Sequence, residues 1–594
     1  TANEKKNHKY AIRIAEISQL IQQRYTENIT LKELADEVHL SVPYLSKFFV
    51  DYFGMNFLSY LNQYRLMHAM QELSITDKNI DIKEATLGIA HTRWATHGKP
   101  NESNAHPHKS GKVTLVHNGI IENFSELKER LIKEGVKFNS DTDSEVMTAL
   151  INYYYDGDPV LAIEKAIKDV KGSYALAIIF EDRDKLFAVR KDLPLIIGYG
   201  DKEFFIASDI SAIIKYTNKY SLLDENEIAV LDFDGIKVTK DGKEIKKEIL
   251  VTDLTAEDRE KNGYEHYMLK EIMEEPIVLE KTIKPFLDDF DKIPDLSSYE
   301  EIHIVACGSA MYAGMIGKTL LEEHSNIRVT CEVASEYRYK KVLYDRKTIV
   351  IVISQSGETA DTIAAMRKAK EHGALTLAIV NVKGSTIARE SDQQIFIEAG
   401  SEIAVATTKA YILQVAIMAL LSARVAGKKD IVNDLKLLPR LLKEVIDRRE
   451  MYLKIAKKIY KREDIFFIGR KIDYAISLEG SLKLKEVSYI HSEAYAAGEL
   501  KHGTISLISE GTPVIVVATS DELYLKTISN AKEVKARGAY VILVTDKEVI
   551  NEGVYDELIS IPKVTEELRP ILTIIPLQLI SYEVAKLKGN DIDK

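Results

Sequence analysis

The chain has 594 residues, 45% hydrophobic and 29% charged, a composition that supports a large buried core and argues against intrinsic disorder. A formal net charge of −11 disfavours nonspecific attraction of the whole particle to nucleic acid or to an anionic membrane. Cys307 and Cys331 are the only cysteines, which excludes a disulfide framework and suits a reducing cytoplasm.

The length predicts roughly three to five domains at about 100–200 residues each. The opening TANEKKNHKY is polar and lacks a secretory apolar stretch, and its first residue, Thr1, points to an internal or processed start. Apolar runs such as YILQVAIMALL fall short of the ~20 residues that span a bilayer. A soluble cytoplasmic protein without a membrane partner is the expectation.

Residues 8–76 carry apolar side chains at helical spacing in IAEISQLIQQRY, LKELADEVHL, YLSKFFVDYFG and FLSYLNQYRLMHAMQEL. Within ITLKELADEVHLSVPYLSKFFVDYFG, Leu34, Ala35, Val38 and Leu40 are spaced to pack inward, and Ser41 is placed to cap a second helix at about 42–52. The stretch resembles an AraC-type regulator. That resemblance implies an all-α helix-turn-helix unit over residues 1–80, with Tyr44, Ser46 and Lys47 directed at DNA in the major groove. A plain helical bundle is the alternative, because nine Lys and Arg balanced by nine Asp and Glu attract phosphate weakly. The AraC type uses two such units, and here the second breaks off near ITDKNI.

From about 85 to 250 the texture changes to strands such as VTLVHNG, YALAIIF, KLFAVR and EFFIAS, punctuated by Gly and Asp. This region, residues 81–254, begins with the loop HTRWATHG at 91–98 and contains NAHPH, VHNGII and SDTDSE. The Asn-Gly pair in VHNGII reads most simply as a hairpin turn, and the aspartate of SDTD as a helix cap. A charged stretch, TAEDREKNGYEHYMLKEIMEEP, then predicts a linker over 255–284 that runs into a helix.

After residue 300, buried strands alternate with helices in EIHIVACGSA, TIVIVISQSGETADT, ALTLAIVN and QQIFIEAG, the pattern of a parallel sheet covered on both faces. The pattern repeats: TIVIVISQSGETADTIAAMRKAKEHGALTLAIV aligns with TPVIVVATSDELYLKTISNAKEVKARGAYVILV, with Gly373 matching Gly538, and IHIVACGS matches IFFIGRKI. Two tandem copies of one α/β domain are predicted, at 285–450 and 451–594.

In the first copy, strand TIVIVI runs into SQSGETADT at a helix start. Ser354, Gln355, Ser356 and Thr359 offer donors, Gly357 permits close backbone approach, and the helix N-terminus adds free N–H groups and a positive dipole. No lysine follows as in a nucleotide-binding loop, so a sugar phosphate is the expected anion. Simple helix capping is the plainer reading. The turn GSA at 308–310 reinforces an anion site, whereas the second copy has TSDEL, whose acidic pair repels phosphate; one phosphate site per tandem pair is expected. The stretch EGSLKLKEVSYIHSEAYAAGELKHG, at 479–503, packs Lys483, Lys485, Glu486, His491, Glu493, Glu499, Lys501 and His502 around small residues. An amphipathic helix also shows such charges, but glutamate and histidine suit proton transfer between neighbouring carbons and ring opening.

These separated motifs, over residues 85–594, resemble the sugar isomerase (SIS) domain and, as a tandem pair, the glutamine–fructose-6-phosphate aminotransferase family. The resemblance implies a multidomain chain in which an α+β glutaminase domain of the N-terminal-nucleophile type, lacking its first strand, precedes two SIS domains. It further implies fructose 6-phosphate with glutamine or ammonia as substrates, glucosamine 6-phosphate as product, no cofactor or metal, and a homodimer. Residue by residue, Glu486 would shuttle the proton, His502 would open the ring, and Lys483 would lie beside them. Gly308, Ser309, Ser354, Gln355, Ser356, Thr359, Val405 and Thr407 would hold the sugar phosphate. In the glutamine half, Arg93 would clamp the α-carboxylate, Trp94 gate and Thr96 support the site, Asn118 and Gly119 form the oxyanion hole, and His106 and Asp143 complete it, Asp143 receiving the α-ammonium.

The chain departs from the family pattern at several points. Ala310 stands where a serine is common, Thr504 where a proline is usual, and the end reads DIDK, with Lys594 at the wrong offset for the family's Schiff-base lysine. The family's Cys-Gly-Ile-Val-Gly start is not found in the sequence, so an inactive glutaminase half is expected. Three readings follow: an aminotransferase with impaired turnover, a sugar-phosphate-sensing transcription regulator, or a fusion of fragments of two genes.

Overall fold

The computed structural model describes residues 86–92, 102–252, 260–344, 347–428, 431–548 and 553–593, together with Leu20, 31–38 and six further positions before residue 58. The chain divides into two compact units, Thr1–Gly88 and Ile89–Lys594. In the first, a helix spans Leu31–Glu37. Leu34, Ala35 and Val38 are buried with Leu45, Phe48, Phe49 and Phe57, and Leu40 packs against them. Tyr44, Ser46 and Lys47, the DNA-facing candidates, lie outside the described residues, as does Ser41.

The second unit opens with an antiparallel sheet of seven strands: β1 (His108–Ser110), β2 (Val113–Ile121), β3 (Gly172–Phe180), β4 (Leu186–Lys191), β8 (Ile228–Asp232), β9 (Gly235–Lys240) and β10 (Lys243–Ile245), adjacent in that order. Four others, β5 (Ile196–Tyr199), β6 (Phe204–Ala207), β7 (Lys219–Leu222) and β11 (Leu250–Val251), form a second sheet ordered β11-β7-β5-β6. Helix α1 (Asp143–Tyr154) packs on β1 and β2 and is buried without a break from Asp143 to Ile151. Thr142 caps it, its side chain accepting the Glu145 N–H.

Beyond residue 300 come two parallel five-stranded sheets. The first comprises β12 (Glu301–Ala306), β13 (Arg328–Val333), β14 (Thr348–Ser354), β15 (Leu375–Val380) and β16 (Gln393–Phe396), ordered β13-β12-β14-β15-β16. The second comprises β17 (Asp464–Gly469), β18 (His491–Ala496), β19 (Pro513–Val517), β20 (Tyr540–Thr545) and β21 (Glu557–Ser560), ordered β18-β17-β19-β20-β21. Both sheets therefore have the doubly wound order 2-1-3-4-5, and the sequence repeat is a repeat of topology. The central strands β12, β14 and β19 are buried at every residue, as expected where helices cover both faces.

The two α/β domains share one apolar core, to which helices α2 (Tyr267–Asp288), α3 (Gly308–His324), α5 (Lys409–Ala426), α6 (Ile472–Ser488) and α7 (Arg569–Lys588) contribute; α4 (Ala360–Glu371) follows β14. Much of the segment expected as a linker, 255–284, is thus a core helix. Its charged composition conceals this because Lys270, Glu271 and Glu275 are themselves buried beside Met268, Ile272 and Leu279. Helix α5 and residues Glu566–Lys588 are long and apolar enough to cross a membrane on composition alone, but 83% and 89% of their apolar windows are buried inside the protein. They are core helices.

Candidate active site

In the antiparallel part of the second unit, Asn118 and Gly119 do not turn a hairpin. They lie inside β2, paired with Ala175 and Tyr174 of β3. Gly119 has φ +129°, and a Cβ there would sit 2.2 Å from the Ser173 carbonyl oxygen, so the strand accepts only glycine at this point. Asn118 is exposed, and its Oδ1 is 3.0 Å from His91 Nε2; with Oδ1 so engaged, the amide presents its Nδ2 donors. The His91 ring stacks at a tilt on His106, with centroids 4.3 Å apart, and His106 meets His108 edge-on at 5.1 Å.

Asp143 is only 2% exposed and is the first residue of α1, the cap being Thr142. Its Oδ2 accepts the Ile121 N–H at 2.9 Å, which fixes the carboxylate against the end of β2. Next to it, burial pushes His117 down to about 4, so its ring is neutral at physiological pH, and its Nδ1 lies 3.0 Å from Ser144 Oγ. His91, His106, Asn118 and Asp143 therefore surround one end of β2. Arg93, Trp94 and Thr96 lie outside the described residues.

The second site is a cavity of about 290 Å³ at the carboxyl ends of β12 and β14, the ligand position of doubly wound sheets. Its walls bring together Gly308, Ser309, Ser354, Gln355, Ser356, Thr359, Val405, Thr407, Lys483 and Glu486, drawn from four separate stretches of sequence. The N-termini of α3 and α4 both open into it, each adding free N–H groups and positive dipole. The turn is internally braced: Ser354 Oγ accepts the Gly357 N–H at 3.0 Å and contacts Thr359 Oγ1 at 3.0 Å, while Ser356 Oγ accepts the Glu358 N–H at 3.2 Å. Thr359 precedes α4 without a side-chain capping bond, so its hydroxyl is not used as a cap. Gly357 has φ +67°, and a Cβ there would meet Ser385 Oγ at 2.0 Å.

Opposite the turn, α6 delivers its acid–base side chains. Lys483, 1% exposed, lies 2.6 Å from Glu486 Oε2 and 3.5 Å from Glu479 Oε1. Burial works against the lysine charge, but Glu479 and Glu486 outweigh it and hold Lys483 above the ordinary lysine value. It is an ammonium, and hence a donor to developing negative charge rather than a base. Glu479 is fully buried, and burial pushes its carboxyl up to about 7. Glu479 is not among the candidate residues of the sequence, although residues 479, 483 and 486 share one helix face at i, i+4 and i+7. Nor is Gln414 of α5, a cavity residue that no local motif marks. His502 is different: it ends the short turn Leu500–His502, is exposed, and does not line the cavity.

The second copy lacks an equivalent open turn for a reason beyond the acidic pair. After β19, the N–H groups of Thr519 and Ser520 donate to Asp473 Oδ2 at 2.8 and 3.2 Å. A carboxylate of the protein thus occupies the donors that would receive an anion.

A glutamine amidotransferase domain model matches residues 91–215, and an SIS domain model matches twice, at 295–424 and 458–588. The chain is 47% identical over 537 residues to a glutamine–fructose-6-phosphate aminotransferase (isomerizing) from Caldanaerobacter subterraneus subsp. tengcongensis, covering 86% of this chain and 88% of that one. The chain belongs to the glutamine–fructose-6-phosphate aminotransferase family. A member from Clostridium tetani is 49% identical over 533 residues, covering 86% and 87%. Among solved structures, the C-terminal domain of glucosamine-fructose-6-phosphate aminotransferase from Francisella tularensis matches with a TM-score of 0.54 at 37% identity, covering 56% of this chain and 99% of that domain. Both cysteines of the present family member lie in its first SIS domain: Cys307 at the cavity wall, its thiol pushed up by burial, and Cys331 on β13, where burial pushes the thiol up to about 12.

Proposed function

We propose that the chain binds fructose 6-phosphate in the β12/β14 cavity and converts it to glucosamine 6-phosphate, with nitrogen from glutamine or ammonia. The observation that carries this reading is the meeting of the Ser354–Thr359 turn with the Lys483–Glu486 pair in one cavity. The phosphate would take the hydroxyls of Ser354, Ser356 and Thr359, the Gln355 amide, and the N–H groups at the starts of α3 and α4. Gly308, Ser309, Val405 and Thr407 would border the sugar.

Once the nitrogen donor has condensed at C2 with loss of the C2 oxygen as water, Glu486 would take the proton from C1 and deliver it to C2, while the Lys483 ammonium would stabilise the negative charge that develops between the two transfers. His502, expected from the resemblance to open the ring, does not line this cavity and takes no step there. In the other half, Asp143 would bind the glutamine α-ammonium, Arg93 its carboxylate, and Asn118 with the Gly119 N–H the oxyanion, with Trp94, Thr96 and His106 shaping the pocket.

The test is glucosamine 6-phosphate formation from fructose 6-phosphate, first with glutamine and then with ammonium. We expect turnover with ammonium and little with glutamine, since neither thiol of the chain lies in the glutaminase part. No product with either nitrogen source, together with no fructose 6-phosphate binding, would sink the reading. We further propose that the active unit is a homodimer, to be checked by sedimentation, and that the small apolar cluster around Leu34 and Phe49 belongs to a DNA-binding unit. Salt-independent or undetectable DNA binding would remove that last proposal.

A further inference from the structure

The cavity residues Val405 and Thr407 sit on a stretch, 397–408, that has neither helix nor strand. Such a segment must find hydrogen-bond partners for its backbone elsewhere. Among these, Glu402 within the stretch accepts the Thr408 N–H at 2.8 Å, and a carboxyl group from another element takes two more. Glu271 of α2 is 2% exposed, and its Oε1 accepts the N–H groups of Ile403 at 2.5 Å and Ala404 at 3.1 Å. The stretch is tied again at its far end, where Lys409 Nζ lies 2.8 Å from Glu274 Oε2, one turn along the same helix. Val405 follows directly on the clamped peptide and remains 55% exposed.

We infer that Glu271 is a positioning residue for sugar recognition: it holds the 403–404 backbone so that Val405 and Thr407 face the body of the sugar, opposite the phosphate turn. The inference rests on the proposed function, because it assumes that fructose 6-phosphate occupies this cavity. Glu271 touches no cavity atom itself and acts only through the loop. The phosphate turn at 354–359 is braced by its own hydroxyls and does not use Glu271. The clamp should therefore affect the sugar and leave the phosphate alone.

Calorimetric titration of the full chain with fructose 6-phosphate and, separately, with inorganic phosphate tests this. Glu271→Asp withdraws the acceptor by one methylene and is expected to weaken fructose 6-phosphate about tenfold, the loss appropriate to hydrogen bonds to two backbone donors, with phosphate affinity unchanged within about twofold. Glu271→Gln retains an Oε1 acceptor and should restore sugar affinity to within about threefold of the native chain. If Glu271→Asp fails to fold, Ala404→Pro, which deletes one donor, is held to the same two-ligand comparison. Unchanged sugar affinity in the clamp variant, or equal loss of both ligands, overturns the inference. Absence of fructose 6-phosphate binding by the native chain overturns the proposed function and this inference with it.

Discussion

Glu479, Lys483 and Glu486 form a charged face of α6 in which each member sets the state of the next. Two carboxylates keep Lys483 cationic in spite of complete burial, and that cation in turn lies in contact with Glu486. Glu486→Gln removes the proton carrier but keeps the size and one acceptor. Its expected effect is a loss of turnover of about 10²- to 10⁴-fold with fructose 6-phosphate affinity changed less than about threefold, measured by product formation and by titration. Equal loss of binding and turnover would instead make Glu486 a ligand of the sugar.

The buried acids also make stability depend on pH. Burial pushes Glu479 up to about 7, and burial followed by the charge of Glu402 pushes Glu271 up to about 8, both from an ordinary value of 4.5. Below about pH 4.5 both the native and unfolded chains hold these protons. As pH rises, the unfolded chain releases them first, so their stabilising contribution declines and is lost once pH passes through about 7 to 8. Melting temperatures between pH 5 and 9 should therefore fall less steeply in the Glu479→Gln, Glu271→Gln double variant than in the native chain. A parallel fall in both would show that neither group holds its proton.

At the scale of elements, two glycines are fixed by their backbone and not by their neighbours in sequence. Gly357→Ala forces a left-handed residue, costing about 1–2 kcal/mol, and drives a Cβ into Ser385. Loss of measurable fructose 6-phosphate binding is expected, with a lowered melting temperature. Gly119→Ala meets backbone rather than side chain, at the Ser173 carbonyl, and should destabilise the β2–β3 pairing itself, seen as faster amide exchange in those strands. The second-copy turn, plugged by Asp473, predicts a stoichiometry of one fructose 6-phosphate per chain. Two sites by calorimetry would contradict that.

On the scale of the whole molecule, the glutaminase part meets the first SIS domain through ion pairs such as Arg389 with Asp224 at 2.8 Å, and α2 leads from the first part into the shared core of the second. The same helix holds the sugar loop through Glu271. Mutation of the charged contact, Asp224→Ala, is expected to leave ammonium-dependent turnover within about twofold, because an exposed ion pair contributes little. Assays of product formation with ammonium check this.

Much of the architecture was legible along the chain. Continuous apolar strands and the offset between Gly373 and Gly538 revealed a duplicated parallel α/β domain, because buried parallel strands and repeated topology impose local, periodic constraints. The Ser354–Thr359 turn and the α6 charges were legible for the same reason: each is a short contiguous run whose chemistry is carried by neighbours in sequence. What the sequence could not disclose depends on contacts between distant segments. That residues 267–284 are core and not linker is hidden by buried charges whose partners lie more than 100 positions away. The Asn118–Gly119 pair resembles a hairpin turn until its pairing with β3 places it inside a strand. Gln414 and Glu271 carry no motif; only tertiary packing, which satisfies each buried polar group from whichever chain segment is closest, sets one in the cavity wall and the other behind the loop that borders it.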